Sequence, residues 1–123
     1  MKHRSPNILL VNPWITDFAA YNLWIKPYGL LSIASFLRSN GFKITFIDCL
    51  DSIVKKKKYG DGKFHKIDIE KPMPIKSVPR NYSQYGIPEK LFREKLSDVE
   101  KPDLIGITSG MTYWYPGVFK AVR

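Results

Sequence analysis

The stretch Asn7-Ile8-Leu9-Leu10-Val11-Asn12 decides the fold of this chain of 123 residues. Four apolar residues run without interruption between two asparagines, which is the pattern of a strand buried on both faces of a parallel sheet. Two further segments read as strands: Lys43–Cys49, which is rich in β-branched residues, and the buried run Asp103–Ser109. The sequence therefore predicts a parallel sheet of three core strands.

Helical patterns alternate with these strands. Pro27–Asn40 has apolar residues at helical spacing, Pro88–Val99 repeats that spacing, and Tyr113–Arg123 begins a third pattern. Such alternation is typical of right-handed crossovers in an α/β fold. We expect a three-layer, flavodoxin- or Rossmann-like domain in which the first strand lies between the other two, because the crossovers reverse direction there.

The number of strands bears on domain organisation. A doubly wound domain normally has roughly five or six strands, whereas three are recognisable here. The last helical pattern also reaches Arg123 without a cap residue. These features predict that residues 1–123 are the N-terminal fragment of a longer protein, truncated after three core strands.

Composition excludes several classes of protein. A hydrophobic share of 44% with 25% charged residues is not that of a disordered chain. No apolar run approaches the ~20 residues that cross a bilayer, and Ile8–Val11 is too short for a signal-peptide core, which predicts a cytoplasmic protein with no membrane partner. Cys49 is the single cysteine, and we expect it to be a small, partly buried residue at a strand end. Neither His3 nor His65 has a second ligand at metal spacing, so no metal site is expected.

The basic charge is concentrated in an irregular insertion, residues 51–87. Between Lys55 and Arg80, nine Lys and Arg stand against three acidic residues, so this stretch contributes +6 of the net charge of +9. Turn residues predict a short hairpin around Gly60–Gly62, and several prolines favour extended coil outside the core. The run Lys55–Lys58 is either solvated or a contact for nucleic acid or an acidic partner. The alternative function is therefore a non-enzymatic α/β binding module that uses its basic insertion for nucleic acid or an acidic partner. Because a short lysine run in a loop is usually solvated, we do not expect nucleic acid to be the partner.

In open parallel sheets, ligands bind beyond the carboxyl ends of the strands, where strand order reverses. This rule selects two stretches, Pro13–Lys26 and Gly110–Pro116. Both are rich in aromatic and methionine side chains: Trp14, Phe18, Tyr21, Trp24, Met111, Tyr113, Trp114 and Tyr115. Such a lining suits a flat, largely apolar ligand such as a macrocycle or a base, or it covers the sheet end and packs against another domain.

Familiar nucleotide and phosphate motifs are missing. Asn12–Thr16 contains no glycine where G-x-G-x-x-G would follow the first strand, and G-x-x-x-x-G-K-[ST] is absent. A response regulator would need an acidic cluster at these strand ends, which Asp17 and Ser109 do not supply. Asp48 and Asp51 are candidates for ligand contact, although carboxylates at the end of a strand are more often solvated or capping, and we expect one of these latter roles here.

One family does resemble this sequence. Pro27-Tyr28-Gly29-Leu30-Leu31-Ser32-Ile33-Ala34-Ser35-Phe36-Leu37-Arg38-Ser39-Asn40-Gly41, followed by Ile47-Asp48-Cys49, resembles the cobalamin-binding-type domain that precedes the catalytic core in many radical S-adenosylmethionine enzymes. Thr108–Gly117 is similar to the third-strand edge in one branch of that group. Parts of the insertion are similar as well: Gly62–His65, Pro79–Tyr82 and Tyr85–Ile87.

The resemblance implies an N-terminal accessory domain of a radical S-adenosylmethionine iron–sulfur enzyme. Such a domain holds a corrinoid (cobalamin) against the catalytic barrel or serves only as a scaffold. The implied partner is the radical S-adenosylmethionine core of the same polypeptide, which would carry the 4Fe–4S cluster and S-adenosylmethionine. The residues implied to line the lower face of the corrin are Asn12, Pro13, Trp14, Thr108, Ser109, Gly110 and Met111.

Departures from the family pattern narrow these expectations. Domains that coordinate cobalt through histidine carry D-x-H-x-x-G after the first strand, whereas Asn12–Phe18 contains no histidine. The cluster motif C-x-x-x-C-x-x-C is absent because Cys49 stands alone, so no radical chemistry is expected of this chain by itself. Met111 replaces the leucine of the family's S-x-L element, and the Gly-Gly element that receives the nucleotide tail would follow a fourth strand.

Overall fold

Hydrogen bonding on both sides of the first strand organises the chain. The computed structural model describes residues 5–19, 26–50, 66–110 and 114–122. Its strands are β1 (Asn7–Asn12), β2 (Ile15–Asp17), β3 (Lys43–Asp48), β4 (Lys66–Asp68), β5 (Ser83–Tyr85) and β6 (Leu104–Ile107). Its helices are α1 (Tyr28–Ser39), α2 (Glu89–Ser97) and α3 (Tyr115–Val122), and a 3₁₀ turn lies at Met73–Ile75.

The parallel sheet has the predicted order, β3-β1-β6, with β1 in the centre. Leu10 of β1 lies opposite Phe46 on one side and opposite Gly106 on the other. The first five residues of β1 are buried, as expected of a strand covered on both faces. The predicted central strand and the direction of its neighbours are confirmed, and each predicted end is correct to within two residues.

Helices cover both faces of this sheet. Ile8 and Leu10 point to one face and pack with Leu30 of α1, whereas Leu9 and Val11 point to the other and pack with Phe92 of α2. α3 contributes to the second face as well. This three-layer arrangement follows from right-handed crossovers that reverse direction at β1. The architecture is α/β with a three-stranded parallel sheet, compatible with a Rossmann-like fold.

A second, antiparallel sheet departs from the sequence-based expectation. Its order is β2-β5-β4, so the loop after β1 and the predicted insertion pair with each other. β5 is central, and every residue from Tyr82 to Ile87 is buried. The prediction that the whole insertion lies outside the core is therefore wrong for this segment. Residues 51–65, with the lysine run and the predicted hairpin, lie outside the described residues.

The two sheets are joined through a glycine. Gly86 has a φ of +133°, and a Cβ there would lie 2.4 Å from the carbonyl oxygen of Cys49. This approach lets the Ile87 N–H donate to the Cys49 carbonyl at 2.7 Å. The Trp14 Nε1–H in turn donates to the Ile87 carbonyl, also at 2.7 Å. Ile87 thereby becomes a core residue beside β1 and β3.

Two properties of the described residues concern membranes and metals. None of the helices there is both long enough and apolar enough to cross a membrane. Nor do those residues bring three or more His, Cys, Asp or Glu side chains together in a group that could hold a metal ion. His3 and His65 lie outside the described ranges.

Candidate functional site

A cavity of about 370 Å³ lies at the carboxyl ends of β1 and β6. Its lining includes the predicted cofactor residues Asn12, Pro13, Trp14, Thr108, Ser109 and Gly110. The seventh predicted residue, Met111, lies outside the described residues. The two stretches meet because the Thr108 N–H donates to the Val11 carbonyl at 3.1 Å, which continues the β1–β6 pairing to the edge of the sheet.

The start of α1 forms a wall of the cavity that the sequence analysis did not assign to the site. Pro27, Tyr28, Gly29 and Leu30 all line it. Tyr28 is 82% exposed, and a Cβ at Gly29 would meet no atom within 4 Å. The only signal in the sequence was the Pro-Tyr-Gly-Leu string, which carried the family resemblance but did not indicate that the start of α1 lies at the sheet edge.

A carboxylate network fixes the side of the cavity next to β3. Asp48 Oδ1 accepts hydrogen bonds from Asn12 Nδ2 at 2.8 Å and from the Leu50 N–H at 2.9 Å. Its other oxygen lies 3.6 Å from Lys26 Nζ, and the Asp48 side chain is only 8% exposed. Asp48 therefore caps the turn after β3, as expected, and holds Asn12 in place. The ammonium group of Lys26 remains half-exposed at the cavity wall.

The aromatic residues expected at this edge lie in different surroundings. Trp14 is 1% exposed and packs edge to face on Phe92, so its indole belongs to the core. Trp114 lines the cavity and donates from Nε1 to Asp17 Oδ2 at 3.0 Å. Phe18 packs on Tyr82, away from the cavity. Tyr115 lines a different cavity, whereas Tyr21, Trp24 and Tyr113 lie outside the described residues.

Cys49 does not contribute reactive chemistry. Its side chain is fully buried just beyond β3. Burial, reinforced by the neighbouring Asp48 carboxylate, raises the pKa of the thiol to about 12. Because the thiolate is the reactive and metal-binding form, a thiol held neutral in this way is a packing residue. The expected structural role of Cys49 is confirmed, with complete rather than partial burial.

The lining fits one face of a flat ligand better than it fits a whole corrinoid. The volume of the cavity falls within the range of small-molecule pockets, roughly 300–1,000 Å³. This volume is small for a complete cobalamin. The parts of the chain that the structure describes contain no histidine, so none of their side chains can supply an imidazole to cobalt. Comparison with protein-family models, curated proteins and solved structures found no match.

Proposed function

We propose that this chain is an N-terminal accessory domain of a radical S-adenosylmethionine enzyme, and that the carboxyl-edge cavity receives one face of a corrinoid. The observation that carries the proposal is the convergence of the predicted residues. Asn12 and Pro13 after β1 share one cavity with Thr108, Ser109 and Gly110 after β6. This is the point of strand-order reversal at which open α/β sheets bind ligands.

The lining of this cavity offers a ligand both a rigid apolar contact and polar groups. Pro13 is buried and has no backbone donor, so it offers a fixed apolar contact. Asn12 is held by Asp48, and the polar residues Thr108 and Ser109 line the same cavity. A bound corrinoid would supply cobalt-centred group-transfer chemistry, while these residues bind and orient it without an imidazole ligand.

The proposal also requires a separate catalytic core that carries out the radical chemistry. Radical chemistry needs a cluster held by cysteines, and Cys49, the single cysteine of this sequence, is buried with a raised pKa. The partner is therefore a radical S-adenosylmethionine core in the same polypeptide, recognisable by a C-x-x-x-C-x-x-C motif. A domain of this class that binds no corrinoid would act as a scaffold for that core.

Gly29 offers a substitution that tests corrinoid binding. A Cβ at Gly29 meets no atom within 4 Å, so Gly29→Phe can project its ring into the cavity without displacing the backbone. Ser39→Phe adds the same ring to the exposed far end of α1 and serves as the matched control. The probe is hydroxocobalamin, titrated into the purified protein and followed by its visible absorption spectrum.

The proposal predicts only weak, saturable spectral changes with the unsubstituted protein and with Ser39→Phe, because the residues of this sequence do not enclose the nucleotide tail of cobalamin. Gly29→Phe should weaken the affinity at least about tenfold, which corresponds to ~1.4 kcal/mol. Equal affinity of both variants would show that the corrinoid binds elsewhere. No binding by any of the three proteins would contradict the corrinoid part and leave the scaffold role.

A further inference from the structure

An open groove of about 530 Å³ lies between helix α1 and the outer edge of strand β3. Leu31 and Arg38 line its helix side, and Ile44 and Phe46 line its strand side. This edge groove shares no described lining residue with the carboxyl-edge cavity. A ligand bound there would therefore leave the proposed corrinoid site free.

β3 offers the longest unpaired edge among the described strands. It pairs with β1 on one side and has no described neighbour on the other. The other edge strands, β2, β4 and β6, have three or four residues each, whereas β3 has six. The centre of β3, Ile44–Ile47, contains neither a charged residue nor a proline, the two residue types that commonly protect an edge from pairing. This edge is therefore a template for a further strand.

The outward backbone groups of β3 belong to the residues whose side chains line the edge groove. The Lys43 N–H donates to the Pro6 carbonyl at 2.9 Å, so the backbone groups of Lys43 face β1. Because the hydrogen-bonding direction of the backbone alternates along a strand, the groups of Ile44 and Phe46 face away from β1. Each of these two residues offers one N–H and one carbonyl to an added strand.

The apolar surface of the edge groove is incompletely covered by α1. Phe46 lies opposite Leu10 in the β1–β3 register, and Leu10 packs with Leu30 of α1, so the Phe46 side chain points to the α1 face. Phe46 is nevertheless 36% exposed, and Leu31 on the helix side is 38% exposed. An added strand would direct every second side chain to this face, where it could cover both residues.

Charge at the groove favours an acidic ligand. Arg38 is exposed in the last turn of α1 and takes part in none of the ion pairs between described residues. Lys43, which also lines the groove, is already paired with Glu100 at 2.6 Å. The net charge of the whole chain is +9, which attracts acidic partners more generally. Arg38 is therefore the group to which we assign the local charge preference.

We propose that the edge groove binds an extended, acidic peptide segment of a partner protein as an antiparallel strand beside β3. The backbone of the segment pairs with the outward groups of Ile44 and Phe46, and its alternate apolar side chains lie against Leu31 and Phe46. Because α1 ends where β3 begins, Arg38 lies at the amino end of β3 and faces a carboxylate at the carboxyl end of the segment. In strand addition of this kind, main-chain hydrogen bonds supply affinity and contacts with alternate side chains supply specificity.

The probe is the acetylated and amidated peptide Thr-Val-Thr-Val-Thr-Glu, in which the valines and the glutamate share one face of a strand. It is titrated into the ¹⁵N-labelled protein and followed in ¹H–¹⁵N correlation spectra and by amide hydrogen exchange. We expect saturable shifts and slower exchange at the backbone amides of Ile44 and Phe46. The amide of Thr45 faces β1 and should keep its exchange rate.

Two N-methylated peptides distinguish strand addition from simple apolar binding. A residue directly opposite Ile44 or Phe46 in an antiparallel pair directs its side chain to the groove and its N–H to β3. N-methylation of both valines removes these donors and should weaken binding about tenfold or more. N-methylation of the two threonines that follow the valines adds the same number of methyl groups at N–H groups that face solvent, and should have a much smaller effect.

Substitutions in the protein test the two sides of the groove separately. Leu31→Glu places a carboxylate on the apolar surface and should abolish measurable binding, whereas Ser32→Glu, exposed on α1 outside the groove, is its matched control. Arg38→Gln should weaken binding by at most about fivefold, the upper range of an exposed ion pair, and should leave unchanged the affinity for a peptide that ends in glutamine. Lys90→Gln, on the exposed surface of α2, is the charge control and should not alter either affinity.

An absence of shifts at Ile44 and Phe46 at millimolar peptide overturns the proposal. Equal affinities of the two N-methylated peptides would overturn it too, because the backbone of the ligand would then have no part in recognition. So would exchange at these two amides that slows with rising protein concentration and no peptide, since a second copy of the chain would then occupy the edge. The comparison of N-methylated peptides uses the unsubstituted protein, so the test remains decisive even if Leu31→Glu fails to fold.

Discussion

Gly117 determines how closely α3 approaches the loop after β1, and Gly117→Ala tests this contact. An ideal Cβ at Gly117 would lie 2.0 Å from the Trp14 carbonyl oxygen and 2.9 Å from its carbonyl carbon. Both are backbone atoms that no rotamer change can move, so α3 must shift away from the core. Gly29→Ala is the matched control, since it also lies in a helix and its Cβ meets nothing within 4 Å.

The two substitutions should change the free energy of unfolding in opposite directions. Replacing glycine by alanine in a helix stabilises by up to ~1 kcal/mol when the new methyl group has room, which is the case at Gly29. At Gly117 the same gain is opposed by overpacking, which typically costs about 1–3 kcal/mol and here lies at the upper end because backbone must move. We expect Gly117→Ala to lower the free energy of unfolding by ~2 kcal/mol and Gly29→Ala to raise it by a few tenths of a kcal/mol or more.

Urea unfolding followed by far-ultraviolet circular dichroism measures both values. The dependence of the free energy on urea should be the same for both variants and the unsubstituted protein, so that only the midpoint moves. A Gly117→Ala variant as stable as Gly29→Ala would refute the close approach of α3 to Trp14.

Three further predictions address the link between the sheets and the buried thiol. Gly86→Ala should lower the free energy of unfolding by ~2 kcal/mol or more in the same urea assay, because φ is +133° and the Cys49 carbonyl is in the way. Trp14→Phe should cost about 1–3 kcal/mol, because it leaves the buried Ile87 carbonyl without its donor, whereas the exposed Tyr28→Phe should cost little. Folding raises the pKa of Cys49 from 9.0 to about 12, so this thiol contributes stability that is complete below pH 9 and is lost as pH rises from 9 to 12. Cys49→Ala should lack that part of the pH dependence of unfolding, and identical slopes for the two proteins would contradict it.

The parallel sheet could be predicted because its signal is long and local. Asn7–Asn12 is a continuous apolar run, and the handedness of crossovers then determines its place between β3 and β6. The antiparallel sheet could not be predicted in the same way. Its strands have three residues each, so an alternation such as Ile67-Asp68-Ile69 is too short to identify a sheet, and Ser83–Tyr85 contains no aliphatic residue. Its burial arises from tertiary pairing with β2 and β4.

The same distinction applies to the two cavities. Asn12 and Thr108 could be assigned to one site because the carboxyl ends of adjacent parallel strands always meet at one edge. The wall formed by the start of α1, with Tyr28 and Gly29, depends on where that helix begins relative to the sheet edge, which the sequence does not specify. The other cavity, lined by Thr16, Gln84 and Tyr115, depends on the register that places Thr16 opposite Gln84, so nothing in the local sequence pattern could reveal it.

The central claim is that the carboxyl-edge cavity receives a corrinoid. Cob(II)alamin carries an unpaired electron and broadens the amide resonances of nearby residues, so it reports the binding position directly. In anaerobic ¹H–¹⁵N spectra, we expect selective broadening of Asn12, Ser109 and Gly110, and its loss in Gly29→Phe. Broadening centred elsewhere, uniform weak broadening or none at all would contradict the claim.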